Sequence, residues 1–99
     1  MHVIIWEFSV PTSRRHSFER DYGSEGPWVK LFRSAPGYLG TELLRDENDP
    51  ERFITIDRWT SAAAFEAFKR DFGAAYEALD REFDGLSDRE TKIGTFTPC

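Results

Sequence analysis

The run His2-Val3-Ile4-Ile5-Trp6-Glu7-Phe8-Ser9-Val10 limits the possible folds more than any other stretch. It consists almost entirely of β-branched and aromatic residues, and Pro11 ends it. As a strand it splits into a row of His2, Ile4, Trp6 and Phe8 and an opposite row of Val3, Ile5, Glu7 and Ser9. Both rows carry apolar side chains, so both faces need cover, and a small sheet with helices on one side covers only one. The chain has 99 residues, the size of a single domain spanning 1–99, and such a chain buries only about 65% of its unfolded surface. Yet 15% of it is aromatic, with nine Phe, three Trp and three Tyr. So many rings predict either a dense core or surface that needs a partner or a ligand.

Downstream, the pattern alternates. Thr12 or Ser13 can cap a helix from Arg14 to about Tyr22, with Phe18 and Tyr22 on its apolar side and His16 facing outward. Gly23-Ser24-Glu25-Gly26 interrupts it, and Pro27 suits the first turn of a short helix, Trp28 to Ser34. Pro36-Gly37 is a turn signal, and Tyr38 to Arg45 reads as a strand. Asp46 to Pro50 is a polar hairpin loop before a strand from Phe53 to Trp59. That strand has one row of Phe53, Thr55, Asp57 and Trp59 and another of Ile54, Ile56 and Arg58. Thr60 or Ser61 caps the longest helix, whose stripe of Phe65, Phe68, Phe72, Tyr76, Leu79 and Phe83 recurs at helical spacing. Gly73 is expected to bend or interrupt it, Gly85 to stop it, and Lys92 to Thr97 to form the last strand.

The order strand-helix-strand-strand-helix-strand, with short connections and right-handed crossovers, closes as an α+β ferredoxin-like βαββαβ fold. Its antiparallel four-stranded sheet has the order 4-1-3-2, with both helices on one face. Val3, Ile5, Ile54 and Ile56 would then lie bare on the other face, an apolar patch that predicts a homodimer joined sheet to sheet in a dimeric α+β barrel. Glu7 and Arg58 share a face of adjacent strands and are expected to pair there.

Charge and cysteine usage exclude several classes. Thirteen Lys+Arg against 18 Asp+Glu give a net charge of −5 without a basic run, which argues against nucleic-acid binding. The single cysteine is Cys99 and both histidines lie within the first 16 residues, so no metal-ligand spacing exists. No run approaches the roughly 20 apolar residues needed to cross a bilayer, and no secretory leader pattern is present, so a cytoplasmic protein without membrane attachment is expected.

Two stretches carry a family resemblance. Ala35-Pro36-Gly37-Tyr38-Leu39-Gly40-Thr41-Glu42-Leu43-Leu44-Arg45, and Phe53 to Trp59 followed by Thr60-Ser61-Ala62-Ala63-Ala64-Phe65, resemble the antibiotic biosynthesis monooxygenase family. The resemblance implies a dimeric α+β barrel with a pocket between helices and sheet in each subunit. It also implies oxygenation of an aromatic or polyketide-type molecule without flavin, haem or metal. Trp59 matches the tryptophan that closes the third strand in the family. Thr55 stands where quinone-forming members carry Asn, and Phe65 where they carry Tyr. Haem-degrading members have an Asn at the position of Trp6 and a helix histidine as iron ligand, whereas no histidine follows His16 in this chain.

The resemblance and the strand rows together nominate Trp59, Asp57 and Thr55 for catalysis. Trp59 would wall the pocket, Thr55 would orient the substrate, and Asp57 or a tyrosine would take a proton, since a buried carboxylate has a raised pKa. The alternatives are that the strand-end Trp is simply core, and that Asp57 pairs with a nearby arginine or reaches water at the rim. Trp6, Tyr22, Trp28, Phe32, Tyr38, Phe65, Phe68 and Tyr76 are the expected lining of a flat aromatic slot. The functional expectation is a cofactor-independent monooxygenase. The alternatives are a dimer that binds a small molecule without turnover, and a cyclase or isomerase using the same pocket.

Overall fold

In the computed structural model, which describes residues 1–99, the doubly apolar run forms strand β1 (His2–Ser9), an inner strand of a four-stranded antiparallel sheet. The sheet order is β2 (Tyr38–Arg45), β3 (Arg52–Trp59), β1 and β4 (Arg89–Phe96), which is the expected 4-1-3-2 order read from the other edge. One face is covered by α1 (Arg15–Tyr22), α2 (Pro27–Arg33), α3 (Ala62–Asp71) and α4 (Gly73–Phe83). No helix is long and apolar enough to cross a membrane.

Local chemistry explains most boundaries. Pro27 occupies the first turn of α2, where its missing N–H is not needed. Ser61 Oγ accepts from Ala64 N at 3.1 Å and caps α3. The long aromatic helix breaks into α3 and α4 at Phe72, which leaves helical geometry just before Gly73. Neither Thr12 nor Ser13 caps α1. Together with Arg14 they form a short 3-10 turn, in which Arg14 N bonds Pro11 O at 2.9 Å, and α1 begins one residue later than expected. The last strand begins at Arg89 rather than Lys92, because β1 offers partners along its whole length, down to Ser9 opposite Arg89.

The core has two parts. Phe8, Val10, Phe18 and Phe53 close one end of the sheet, while Ile4, Trp28, Phe32, Ala35, Trp59 and Phe68 fill the other. Gly37, with φ +88°, lets the start of β2 pass so close to α3 that a Cβ there would lie 2.6 Å from that of Ala64. Across the sheet, Leu44 and Phe96 are about half exposed, on the face shared by Val3, Ile5, Ile54 and Ile56. The expected Glu7–Arg58 pair does not form. The two residues stand four positions apart along the β1–β3 register, and each has a nearer partner. Glu7 Oε2 is 2.5 Å from Arg52 Nε, Arg52 also reaches Asp46, and Arg58 pairs with Glu42.

Two irregularities in the sheet bear on function. Between Tyr38 and Gly40 the β2–β3 register slips by one residue, so that Thr41 lies opposite Asp57. Between Ile5 and Trp6 the β1–β4 register slips likewise past Ile93, and Glu90 falls opposite Phe8. A bulge inserts one residue and so sends every side chain beyond it to the other face. Gly40, with φ +147°, supplies the backbone freedom at the first bulge.

Candidate functional site

Between the inner face of the sheet and helices α1, α2 and α4 lies a cavity of about 60 Å³ that opens to solvent. Helices supply Tyr22 from α1, Trp28, Val29 and Phe32 from α2, and Tyr76 and Asp80, one turn apart, from α4. The sheet supplies Trp6 and Phe8 from β1, Thr55 and Asp57 from β3, and, through the two bulges, Thr41 and Glu90. Rings pack in series around it. Tyr22 meets Trp28 at 6.0 Å between centroids, and Trp28 meets Phe32 at 6.1 Å and Tyr76 edge-on at 5.2 Å.

The polar centre is a chain of three side chains. Thr41 Oγ1 lies 2.6 Å from Asp57 Oδ1, and Tyr38 Oη lies 2.6 Å from Thr41 Oγ1. A threonine hydroxyl has one proton. When it donates to the Asp57 carboxylate, Tyr38 must donate to it. Protonating Asp57 on that oxygen permits the whole chain to reverse. Burial lifts the Asp57 carboxyl from the ordinary 3.8 to about 6, and the Thr41 hydrogen bond pulls the other way. No arginine or lysine pairs with it.

The phenols respond to the same dry surroundings. Burial raises Tyr22, and the Glu90 charge adds to this, against a smaller opposing pull from the Trp28 indole. Burial also raises Tyr38 and Tyr76. Trp28 Nε1 and Trp59 Nε1 are buried without an aligned hydrogen-bond acceptor. Glu90 is raised by desolvation and by its neighbours Asp80 and Asp84. No three His, Cys, Asp or Glu side chains gather closely enough to hold a metal ion.

Of the residues nominated from the sequence, Trp6, Tyr22, Trp28, Phe32, Thr55, Asp57 and Tyr76 line this cavity. Tyr38 reaches it only through Thr41. Trp59 does not line it. Its indole is fully buried one layer behind, within 5.2–5.8 Å of the rings of Phe32, Tyr38, Phe65 and Phe68. Phe65 packs on Trp59 and stacks on His2 at 5.9 Å, and Phe68 is a core ring that also faces a separate cleft beside Ala35 and Ala64. The tryptophan ending β3 therefore supports the cavity wall rather than forming it. Sequence reasoning left out Phe8 and Val29 and missed three polar groups, Thr41, Asp80 and Glu90. Asp80 carried a usable signal, because it follows Tyr76 by four residues on one helix face. The other two depend on bulges.

Comparison with known proteins agrees with this architecture. The sequence profile described as antibiotic biosynthesis monooxygenase matches residues 1–78. No curated protein matches the chain significantly. Among solved structures, SnoaB, a cofactor-independent oxygenase from Streptomyces nogalater, is 22% identical with a TM-score of 0.67, over 99% of this chain and 92% of its own. The ActVA-Orf6 monooxygenase of Streptomyces coelicolor, solved with nanaomycin D, is 18% identical with a TM-score of 0.74, over 99% and 87%. A variant of MhuD with two manganese protoporphyrin IX bound per active site is 24% identical with a TM-score of 0.75, over 99% and 94%. At these identities the structural matches speak for the fold.

Proposed function

The chain belongs to the antibiotic biosynthesis monooxygenase family, and from that premise we propose that it oxygenates an electron-rich aromatic molecule in this cavity, with Asp57 as the base. The observation that carries the reading is the Asp57 carboxyl, held near neutrality among rings and bonded to Thr41. A base with a pKa of about 6 is mostly ionised at neutral pH, yet strong enough to take a proton from an activated carbon acid.

For an anthrone-like substrate the ring stacks among Trp6, Tyr22, Trp28 and Phe32, and Thr55 offers a hydroxyl to a substrate oxygen. Asp57 removes a proton from the activated CH2. The carbanion passes one electron to O2, and the radical pair joins to give a carbon-bound hydroperoxide. Loss of the second C–H proton and cleavage of the O–O bond leave C=O and water, so CH2 and O2 become C=O and H2O. The cavity contributes orientation of the ring relative to Asp57. The hydrogen-bonded chain through Thr41 to Tyr38 gives the proton on Asp57 a path away from the reacting carbon.

The working unit in this reading is a homodimer joined through the bare sheet face. Support comes from the half-exposed Leu44 and Phe96 beside Val3, Ile5, Ile54 and Ile56, an apolar strip flanked by the Arg52 and Arg58 ion pairs.

A second reading, binding without turnover, draws support from Thr55 and Phe65 at the positions where oxygenating relatives carry Asn and Tyr. Oxygen consumption by purified, metal-free protein with an anthrone separates the two. The oxygenase reading expects protein-dependent uptake of one O2 per quinone formed. Binding of the anthrone with no uptake would refute it.

A further inference from the structure

A void of about 60 Å³ holds a few waters, whereas pockets that enclose a ligand of several rings begin at roughly 300 Å³. A multi-ring substrate therefore enters only if a wall moves. The sheet is tied by its ladders, α1 buries Phe18 completely, and α2 buries Trp28, Val29 and Phe32. The remaining wall, α4, buries no residue. No ion pair and no side-chain hydrogen bond joins Gly73–Phe83 to the rest of the chain. Tyr76, Leu79 and Phe83 rest half-buried on the core and hold the helix in place. Glycines stand at both of its ends. Phe72 leaves helical geometry just before Gly73, and a Cβ on Gly73 would meet nothing within 4 Å. Gly85, with φ +98°, turns the chain after the helix. The flanking segments are fixed, on one side by the buried Phe68 of α3 and on the other by Asp88 N, which bonds Ser9 O at 2.7 Å. A helix held by half-buried apolar contacts alone, with a glycine at each junction, opens locally at low cost.

We infer that α4 is a hinged wall: it swings outward about Gly73 and Gly85, carries Tyr76 away from Trp28, and so admits a planar aromatic of several rings to the cavity. The closed state is held by Tyr76 edge-on against Trp28 at 5.2 Å, by Phe83 against Tyr22 at 6.4 Å, and by Leu79 on the core. Opening gives up these contacts and breaks no ion pair. The open fraction then enters the affinity directly, because the apparent Kd of a ligand that needs the open state is its intrinsic Kd divided by that fraction. A single ring needs far less widening and escapes the penalty. The packing of α4 thereby sorts ligands by size. The inference takes its ligand class from the oxygenation reading and rests on it to that extent, but its binding consequence does not depend on turnover.

Two neutral ligands of different size test it. Energy transfer from the protein's tryptophans reports the Kd of 9-(hydroxymethyl)anthracene, and chemical-shift titration reports that of phenol. Two substitutions outside the cavity lining bias the hinge in opposite senses. Leu79→Ala trims the apolar contact that holds α4 down and should tighten the three-ring ligand about tenfold. Gly73→Ala stiffens the hinge, with room for the added methyl, and should weaken that ligand about fivefold. The Kd of phenol should stay unchanged in both. Hydrogen exchange of the parent gives an independent readout: amides from Tyr76 to Phe83 should exchange about 100-fold faster than those around Phe68, through an opening smaller than global unfolding. A three-ring Kd that is unchanged or weaker in Leu79→Ala, or a phenol Kd that moves in step with it, overturns the inference. Exchange in α4 that matches α3 and proceeds only through global unfolding overturns it as well, and decides the question even where the anthracene fails to bind. A failure of oxygen uptake leaves these results standing, and an immobile α4 leaves the role of Asp57 untouched.

Discussion

Replacing Asp57 with asparagine should stabilise the fold while removing its base, and the size of the effect follows from the site. In the unfolded chain the carboxyl releases its proton near 3.8, whereas in the folded chain it holds the proton up to about 6. Ionisation is therefore costlier in the folded state, and stability falls as pH rises between those values. Above about pH 7 the deficit is fully developed, and at roughly 1.4 kcal/mol per pKa unit it reaches about 3 kcal/mol. Asparagine keeps an oxygen for Thr41 Oγ1 and never ionises. At about pH 8 the variant should then melt roughly 10 °C or more above the parent, given about 4–8 °C per kcal/mol for a domain of this size. Below about pH 4 the parent is protonated too, and the two melting curves should converge. Thermal melts of both proteins at matched concentration across that range provide the measurement. A gap that does not change with pH, or a parent that is the more stable at high pH, would refute the reasoning.

Other predictions concern packing and assembly. Gly37→Ala should cost roughly 2–5 kcal/mol in denaturant unfolding, because it combines a positive φ with a Cβ driven into Ala64 and Thr60. Trp59→Phe should destabilise the chain by about 1–3 kcal/mol through lost packing, with kcat/KM of the folded protein unchanged, since the indole lies behind the cavity wall and its Nε1 bonds nothing. Sedimentation at low micromolar concentration should find a dimer for the parent and a monomer or insoluble material for Ile56→Asp, which sets a charge in the apolar strip. A dimeric, soluble Ile56→Asp protein would rule out that face as the interface.

Element order was legible in the sequence because each element announced its period. β1 and β3 alternate or run apolar, α3 and α4 repeat aromatics every three or four residues, and Pro27, Gly37 and Gly73 sit at the breaks. Half of the site was legible for the same reason, since the β3 row fixes Thr55 and Asp57 on the helix side. Two kinds of information were not. Whether a ring such as Trp59 or Phe68 lines a void or fills the core depends on depth, which period alone does not encode. A regular ladder from Tyr38 opposite Trp59 would put Gly40 opposite Asp57 and send Thr41 to the far face. Likewise, continuing from Ile5 opposite Gly94 would put Thr91 opposite Phe8 and turn Glu90 outward. Each slips by one residue, and the two polar groups that most shape the site change sides. Gly40 was the visible sign of the first slip, but a glycine in a strand announces a bulge without saying which way it shifts the register.

The assignment of the proton acceptor is tested most directly by the pH dependence of kcat/KM for anthrone oxidation. If Asp57 is the base, the rate rises with pH along a single limb with its midpoint at about 6. Thr41→Val, which removes the hydrogen bond that favours the carboxylate, moves that limb to higher pH. A rate that is flat from about pH 5 to 8, or a limb that stays in place in the Thr41→Val protein, would contradict the assignment.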